Sequence, residues 1–172
     1  DGSVTIDLCK YEKLFDTDLR GPFGDGLPRL ERWNVNPESQ SITIDVIDER
    51  ANEFPRHRHD VGGQPYRYGY SVSISSDPTD GWQTLKHDLQ SGETMVVDHG
   101  AGRAGGDAVF VPKEASNEED DGYLMTFVHN LNNDSAEFVV IDAQDFSRGY
   151  VAQVKIPKRI PVSYTHLTLP TS

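Results

Sequence analysis

Short runs of alternating apolar and polar residues, each closed by a turn cluster, succeed one another along this chain from Val4 to Ile156. Val4, Ile6 and Leu8 alternate with Thr5, Asp7 and Cys9, a period of two that puts one set on each face of a strand. Leu30 to Val35 and Ile42 to Ile47 follow, joined by the polar loop Asn36-Pro37-Glu38-Ser39-Gln40-Ser41. Tyr66 to Ser75, Trp82 to Leu89, Glu93 to Asp98, Ala108 to Val111, Tyr123 to Val128, Glu137 to Asp142 and Tyr150 to Ile156 continue the rhythm. Helical periodicity is nearly absent, and only Tyr11 to Leu19 is expected to hold a short helix. About ten short strands at this spacing predict an all-β meander, which suits a propeller, a barrel or a sandwich equally well. No fixed-period repeat chooses among them.

A length of 172 residues is enough for one ordinary domain. The formal charge of -12 argues against a nucleic-acid partner, because phosphate binding needs clustered Lys and Arg. Its ordinary consequence is solubility. The single cysteine, Cys9, cannot form an internal disulfide and reads as a small strand residue rather than a nucleophile. No apolar run approaches the ~20 residues of a membrane span. The opening Asp1-Gly2-Ser3 carries no initiator methionine, and the expectation is a chain that begins mid-protein.

Three segments carry candidate chemistry. In Glu53-Phe54-Pro55-Arg56-His57-Arg58-His59-Asp60, the two histidines would share a strand face and could grip a metal. The flanking arginines would repel a cation, and a solvated loop is the blander reading. In Gly105-Gly106-Asp107-Ala108-Val109-Phe110-Val111-Pro112, a carboxylate enters an apolar strand, where it is either partnered or exposed at the strand end. The acidic run Glu118-Glu119-Asp120-Asp121-Gly122 reads as a solvated turn. His87, His99 and His129 lie scattered at strand ends without ligand spacing, and the Tyr66, Tyr68 and Tyr70 stripe reads as packing.

Taken in order, these segments resemble the carotenoid oxygenase family of carotenoid, apocarotenoid and stilbene cleavage enzymes. The resemblance runs from Asp1 to Pro161. It is carried by Glu53-Phe54-Pro55-Arg56, Tyr66-Arg67-Tyr68-Gly69-Tyr70, Ala108-Val109-Phe110-Val111-Pro112, Glu119-Asp120-Asp121-Gly122-Tyr123-Leu124, Val140-Ile141-Asp142-Ala143 and Val154-Lys155-Ile156-Pro157-Lys158-Arg159-Ile160-Pro161.

The resemblance implies the later blades of a seven-bladed β-propeller, with Fe(II) on its axis held by four histidines. It also implies dioxygen-dependent cleavage of a conjugated carbon–carbon double bond in an apolar polyene or a stilbene. A non-catalytic propeller used for binding is the alternative outside the family's chemistry. Three ligand histidines would lie upstream of this sequence. Iron-bound imidazoles need an acceptor for their other ring N–H, and the family uses glutamates for this. Glu53 matches one of them. Asp107 falls where a second usually sits, one methylene shorter, and an ordinary strand-entry residue is the competing reading. Phe54 would line the substrate tunnel or simply fill the core. The setting implied is cytoplasmic, with membrane contact left open through portions outside this sequence.

The segment from Val162 to Ser172 departs from the family and reads like a translated sequencing adapter. The expected division is therefore 1–161 as propeller and 162–172 as a non-native tail. The fourth iron ligand would fall at Thr165. His166, one position away, would sit on the opposite strand face and is not expected to bind metal. The chain as given is thus expected to hold no complete ligand set and to be inactive alone.

Overall fold

The computed structural model describes residues 2–17, 25–77 and 79–160. The expectations placed on Thr165, His166 and the segment 162–172 lie outside these residues. Among the described residues the fold is all β, and no helix is long and apolar enough to cross a membrane.

Strands β1 (Val4–Lys10), β2 (Arg29–Asn36), β3 (Ser41–His57), β4 (Tyr68–Ser73), β5 (Thr84–Asp88) and β6 (Glu93–Val97) form one antiparallel sheet in chain order. The alternation read from the sequence sets its register. Ile6 lies opposite Trp33, and Trp33 opposite Ile44, while Val4, Val35 and Ile42 make a parallel row. Cross-strand apolar pairs of this kind fix which face each strand presents.

The second sheet orders β11 (Tyr150–Ile156), β10 (Ser135–Asp142) and β9 (Gly122–Asn130). Two short strands then pair with β9 end to end: β7 (Arg103–Gly105) against 128–130 and β8 (Val109–Pro112) against 122–125. The sequence pattern misses β7, because Arg103-Ala104-Gly105 contains no apolar alternation to read.

Two four-stranded meanders result, β3–β6 and β8–β11. The inward residues Tyr70 and Val97 of the first meet Phe110, Leu124 and Ile141 of the second, with Phe146 closing the end. Tyr70 and Phe110 stack with ring centroids 5.7 Å apart, so the packing joins the two sheets rather than filling one of them. A four-stranded meander is the blade of a β-propeller, and successive blades pack face to face.

The short helix expected from Tyr11 is not formed between Tyr11 and Thr17. The Asp25 carboxylate accepts the backbone N–H of Asp16 at 2.6 Å and of Thr17 at 2.9 Å. A side chain thereby takes the amides that a helix would turn back on itself, the usual competition between local polar groups and helix.

Candidate functional site

Both singled-out carboxylates sit where a β-ladder breaks. Strand β3 runs on to His57, well past the Ile47 end read from the sequence. It passes Glu53 opposite Val72 and then Arg56 opposite Tyr70, so Phe54 and Pro55 bulge out of register. Pro55 has no N–H to give the ladder, and Phe54 adopts a left-handed φ of 55°, which a phenylalanine takes only when its surroundings impose it. Asp107 occupies the gap between β7 and β8. That gap is held by the Gly106 N–H on the Phe127 carbonyl and by the Thr126 hydroxyl on the Gly106 carbonyl, both at 2.9 Å.

The two breaks are equivalent, because β3 opens the first meander and β7–β8 opens the second. Arg56 joins them. Its Nε donates to Asp107 Oδ1 at 2.9 Å, and a terminal guanidinium nitrogen donates to Oδ2. The Arg56 side chain remains 55% exposed, so the pair orients the two segments more than it stabilises them. Glu53, half-buried, accepts the Tyr11 hydroxyl on Oε1 and the Phe54 N–H on Oε2 at 3.3 Å.

A family model described as "Retinal pigment epithelial membrane protein" matches residues 1–166. The chain belongs to this carotenoid oxygenase family. It is 32% identical over 175 aligned positions to a carotenoid cleavage oxygenase of Mycobacterium tuberculosis, covering 98% of this chain and 34% of that protein. It is 29% identical to the apocarotenoid-15,15'-oxygenase of Synechocystis, covering 93% of the chain and 34% of the relative. Its fold is similar to the crystal structure of cobalt-substituted Synechocystis ACO, with a TM-score of 0.83 at 27% identity, over 94% of this chain and 35% of that one. The chain thus spans about a third of the relatives it matches, and its two meanders are part of a β-propeller, as the sequence reading expects.

Among the described residues of this carotenoid oxygenase segment, no group of three or more His, Cys, Asp or Glu side chains converges to hold a metal. His57 and His59 do not form the pair that their spacing allows. His57 ends β3 with its ring edge-on to Tyr66 at 4.7 Å, while His59 sits beyond the strand in a single 3-10 turn. The backbone leaves the strand between them, so the two-residue spacing no longer means a shared face.

What Glu53 and Asp107 offer a metal is acceptor capacity. A carboxylate has about four lone-pair sites. Glu53 has two donors and Asp107 two N–H groups of Arg56, so each retains room for an imidazole N–H. That chemistry fits the acceptor role for iron-ligating histidines, and Asp107 is partnered rather than free at the strand end.

A cleft of about 880 Å³ opens beside the bulge, lined by Pro55, His57, Tyr66, Val109 and Phe110 among others. Its walls include neither Glu53 nor Asp107. Volume alone therefore does not make it the reaction site.

The acidic run corrects a second expectation. It is a turn, closed by the Asp121 N–H on the Glu118 carbonyl at 3.2 Å, but of its four carboxylates only Glu118 is exposed. Asp120 is buried and accepts from Lys86 Nζ at 2.6 Å, and Glu119 accepts the backbone N–H of Arg67 at 2.9 Å and of Tyr68 at 2.7 Å. The run clasps the second meander to the start of β4. His87 is the penultimate residue of β5, near a strand end as expected, and both it and His99 are buried among hydroxyls. Gly105 leaves the space that the His99 ring takes, since a Cβ there would lie 2.6 Å from Nε2. The Tyr stripe divides its work: Tyr70 is core, Tyr68 carries the Lys86 ammonium 4.3 Å from its ring centroid, and Tyr66 donates to Asp7. Burial, then the neighbouring Glu53 charge, pushes the Cys9 thiol up to about 12, which agrees with a non-nucleophilic role.

Proposed function

We propose that this chain supplies two blades, and two histidine-orienting carboxylates, of an Fe(II)-dependent dioxygenase that cleaves a conjugated double bond of a carotenoid or apocarotenoid. The observation that carries the reading is the matched placement of Glu53 and Asp107. Each sits at a ladder break in the opening strand of its meander, and Arg56 ties the two together. A propeller gathers one edge of every blade around a central channel. Equivalent strands of successive blades therefore deliver equivalent residues toward one point.

The names of the similar proteins support a carotenoid or apocarotenoid over a stilbene. The existence of a cobalt-substituted form of a structural relative supports a metal site. Iron(II), held by four histidines of the parent protein, would supply the dioxygen chemistry. The residues of this chain act around it. Glu53 and Asp107 accept the outer ring N–H of ligand histidines, which sets each tautomer and ring plane and makes the ligating nitrogen more basic. Asp107, a methylene shorter than glutamate, gains from Arg56 a fixed direction and a partly neutralised charge. Glu53 itself stays in the β3–β4 ladder opposite Val72, which fixes its backbone beside the bulge.

Glu53→Gln in the full-length parent tests this reading while keeping the side-chain volume. The expected result is a metal dissociation constant raised roughly 10- to 100-fold, as for other groups that orient metal ligands. The unfolding midpoint of the metal-free protein is expected to stay close to that of the parent. Unchanged metal affinity would remove Glu53 from the site.

A further inference from the structure

Glu53 has an anchor that neither the motifs nor the resemblance singles out. We propose that Tyr11 is a positioning residue, whose phenol fixes the direction in which the Glu53 carboxylate offers its remaining lone pairs; this rests on the reading of Glu53 given above. Tyr11 stands one residue beyond the end of β1, where pairing with β2 has just finished at Lys10 opposite Arg29. From there its hydroxyl reaches across 42 residues of sequence to Glu53 Oε1.

Without that bond, the carboxylate would keep, among the described residues, only the Phe54 N–H at 3.3 Å, a long bond made to the adjacent residue. One such bond leaves the terminal carboxylate torsion broad, whereas two donors on different oxygens define it. The donor is also permanent. Burial first, then the hydrogen bond and charge of Glu53, push the phenol well above its usual range, so the proton stays on Tyr11 whenever Glu53 is charged. Cys9, on the same edge, stays a neutral thiol and does not compete as an anion. Tyr11 itself touches no reacting atom; it acts through Glu53.

Tyr11→Phe keeps the ring and removes only the hydroxyl. The measurement is Co(II) binding to the full-length parent, followed by the visible absorption of the bound ion, with metal-free unfolding as a control. Tyr11→Phe is expected to raise the Co(II) dissociation constant about 3- to 10-fold, less than loss of Glu53 itself because it acts one bond further out. It is also expected to alter the absorption band, which a purely structural role would leave alone.

In the Glu53→Gln background the same change should add nothing. If Glu53→Gln leaves binding intact, the reading of Glu53 fails. If Glu53→Gln weakens binding but Tyr11→Phe stays within twofold and keeps the parent spectrum, the role of Tyr11 fails. An equal loss from Tyr11→Phe in both backgrounds would likewise overturn it. Should Tyr11→Phe not fold, fluorotyrosine at position 11 gives the answer. Its fluorine resonance must shift on loading with diamagnetic Zn(II) when Glu53 is present, and must not shift on saturation with Zn(II) in Glu53→Gln. A resonance that ignores the metal contradicts the proposal.

Discussion

Replacing Asp120 by alanine is expected to destabilise the full-length protein by about 3–5 kcal/mol, the range for breaking a buried ion pair. The Lys86 side chain is only 3% exposed, and its ammonium rests on Asp120, on the Ala143 carbonyl at 2.6 Å and over the Tyr68 ring. Take away Asp120, and a full positive charge stays buried with one carbonyl and one ring for company. Most of the cost is that stranded charge rather than the lost attraction. The double variant Lys86→Met/Asp120→Leu is therefore expected to recover most of the loss, because apolar groups of similar volume need no partners. Denaturant midpoints of the three proteins check this. A single-variant loss under about 1 kcal/mol would mean that the pair behaves as a surface bridge.

Acidification is the second large effect. His87 has Ser71 Oγ 2.7 Å from Nε2, Thr94 Oγ1 3.0 Å from Nδ1 and the Asp48 carboxylate 3.7 Å away. His99 has Thr84 Oγ1 at 2.9 Å and the Tyr150 hydroxyl at 2.5 Å. Burial pushes both imidazoles down from 6.5 to about 4, only partly opposed at His87 by Asp48 and assisted at His99 by Arg103. Between those values the unfolded chain binds more protons than the native one, so stability rises with pH across the window. The contribution is complete above about pH 6.5 and is lost as pH falls toward 4, by about 3 kcal/mol per histidine. Carboxylates held low by partners, such as Asp88 beside Arg67, act below this window. Denaturation at stepped pH from 7.5 to 4 should show the decline, and replacing either histidine with glutamine should flatten it. A profile flat over that range would mean that the two rings are not sealed from solvent.

The elements most legible in the sequence are those whose information is local. Val4–Lys10 is read to the residue because no proline, glycine or bulge interrupts its period of two. The hairpin at Asn36 to Ser41 announces itself by its turn residues. The second half of β3 was hidden, since Arg56, His57 and the bulge at Phe54-Pro55 break the period of two. Glu53 and Asp107 could be picked out only through the family resemblance. Their equivalence as ladder breaks depends on which strands pair, and that is set by contacts far apart in the chain. Tyr11 illustrates the limit: a tyrosine just beyond a strand end carries no signal until a residue 42 positions away folds against it. The turn of the acidic run is legible but the burial of Asp120 is not, because a charge run is solvated unless a buried lysine, here Lys86, lies across from it.

The most direct measurement is turnover by the full-length parent, loaded with Fe(II) and given an apocarotenoid under isotopically labelled dioxygen. Two shorter carbonyl products are expected, both labelled at the new carbonyl oxygen, in amounts that fall with metal occupancy in Glu53→Gln. Metal-loaded protein that leaves carotenoids and apocarotenoids uncleaved, or that gives the same yield with Glu53 replaced, would contradict the proposed function.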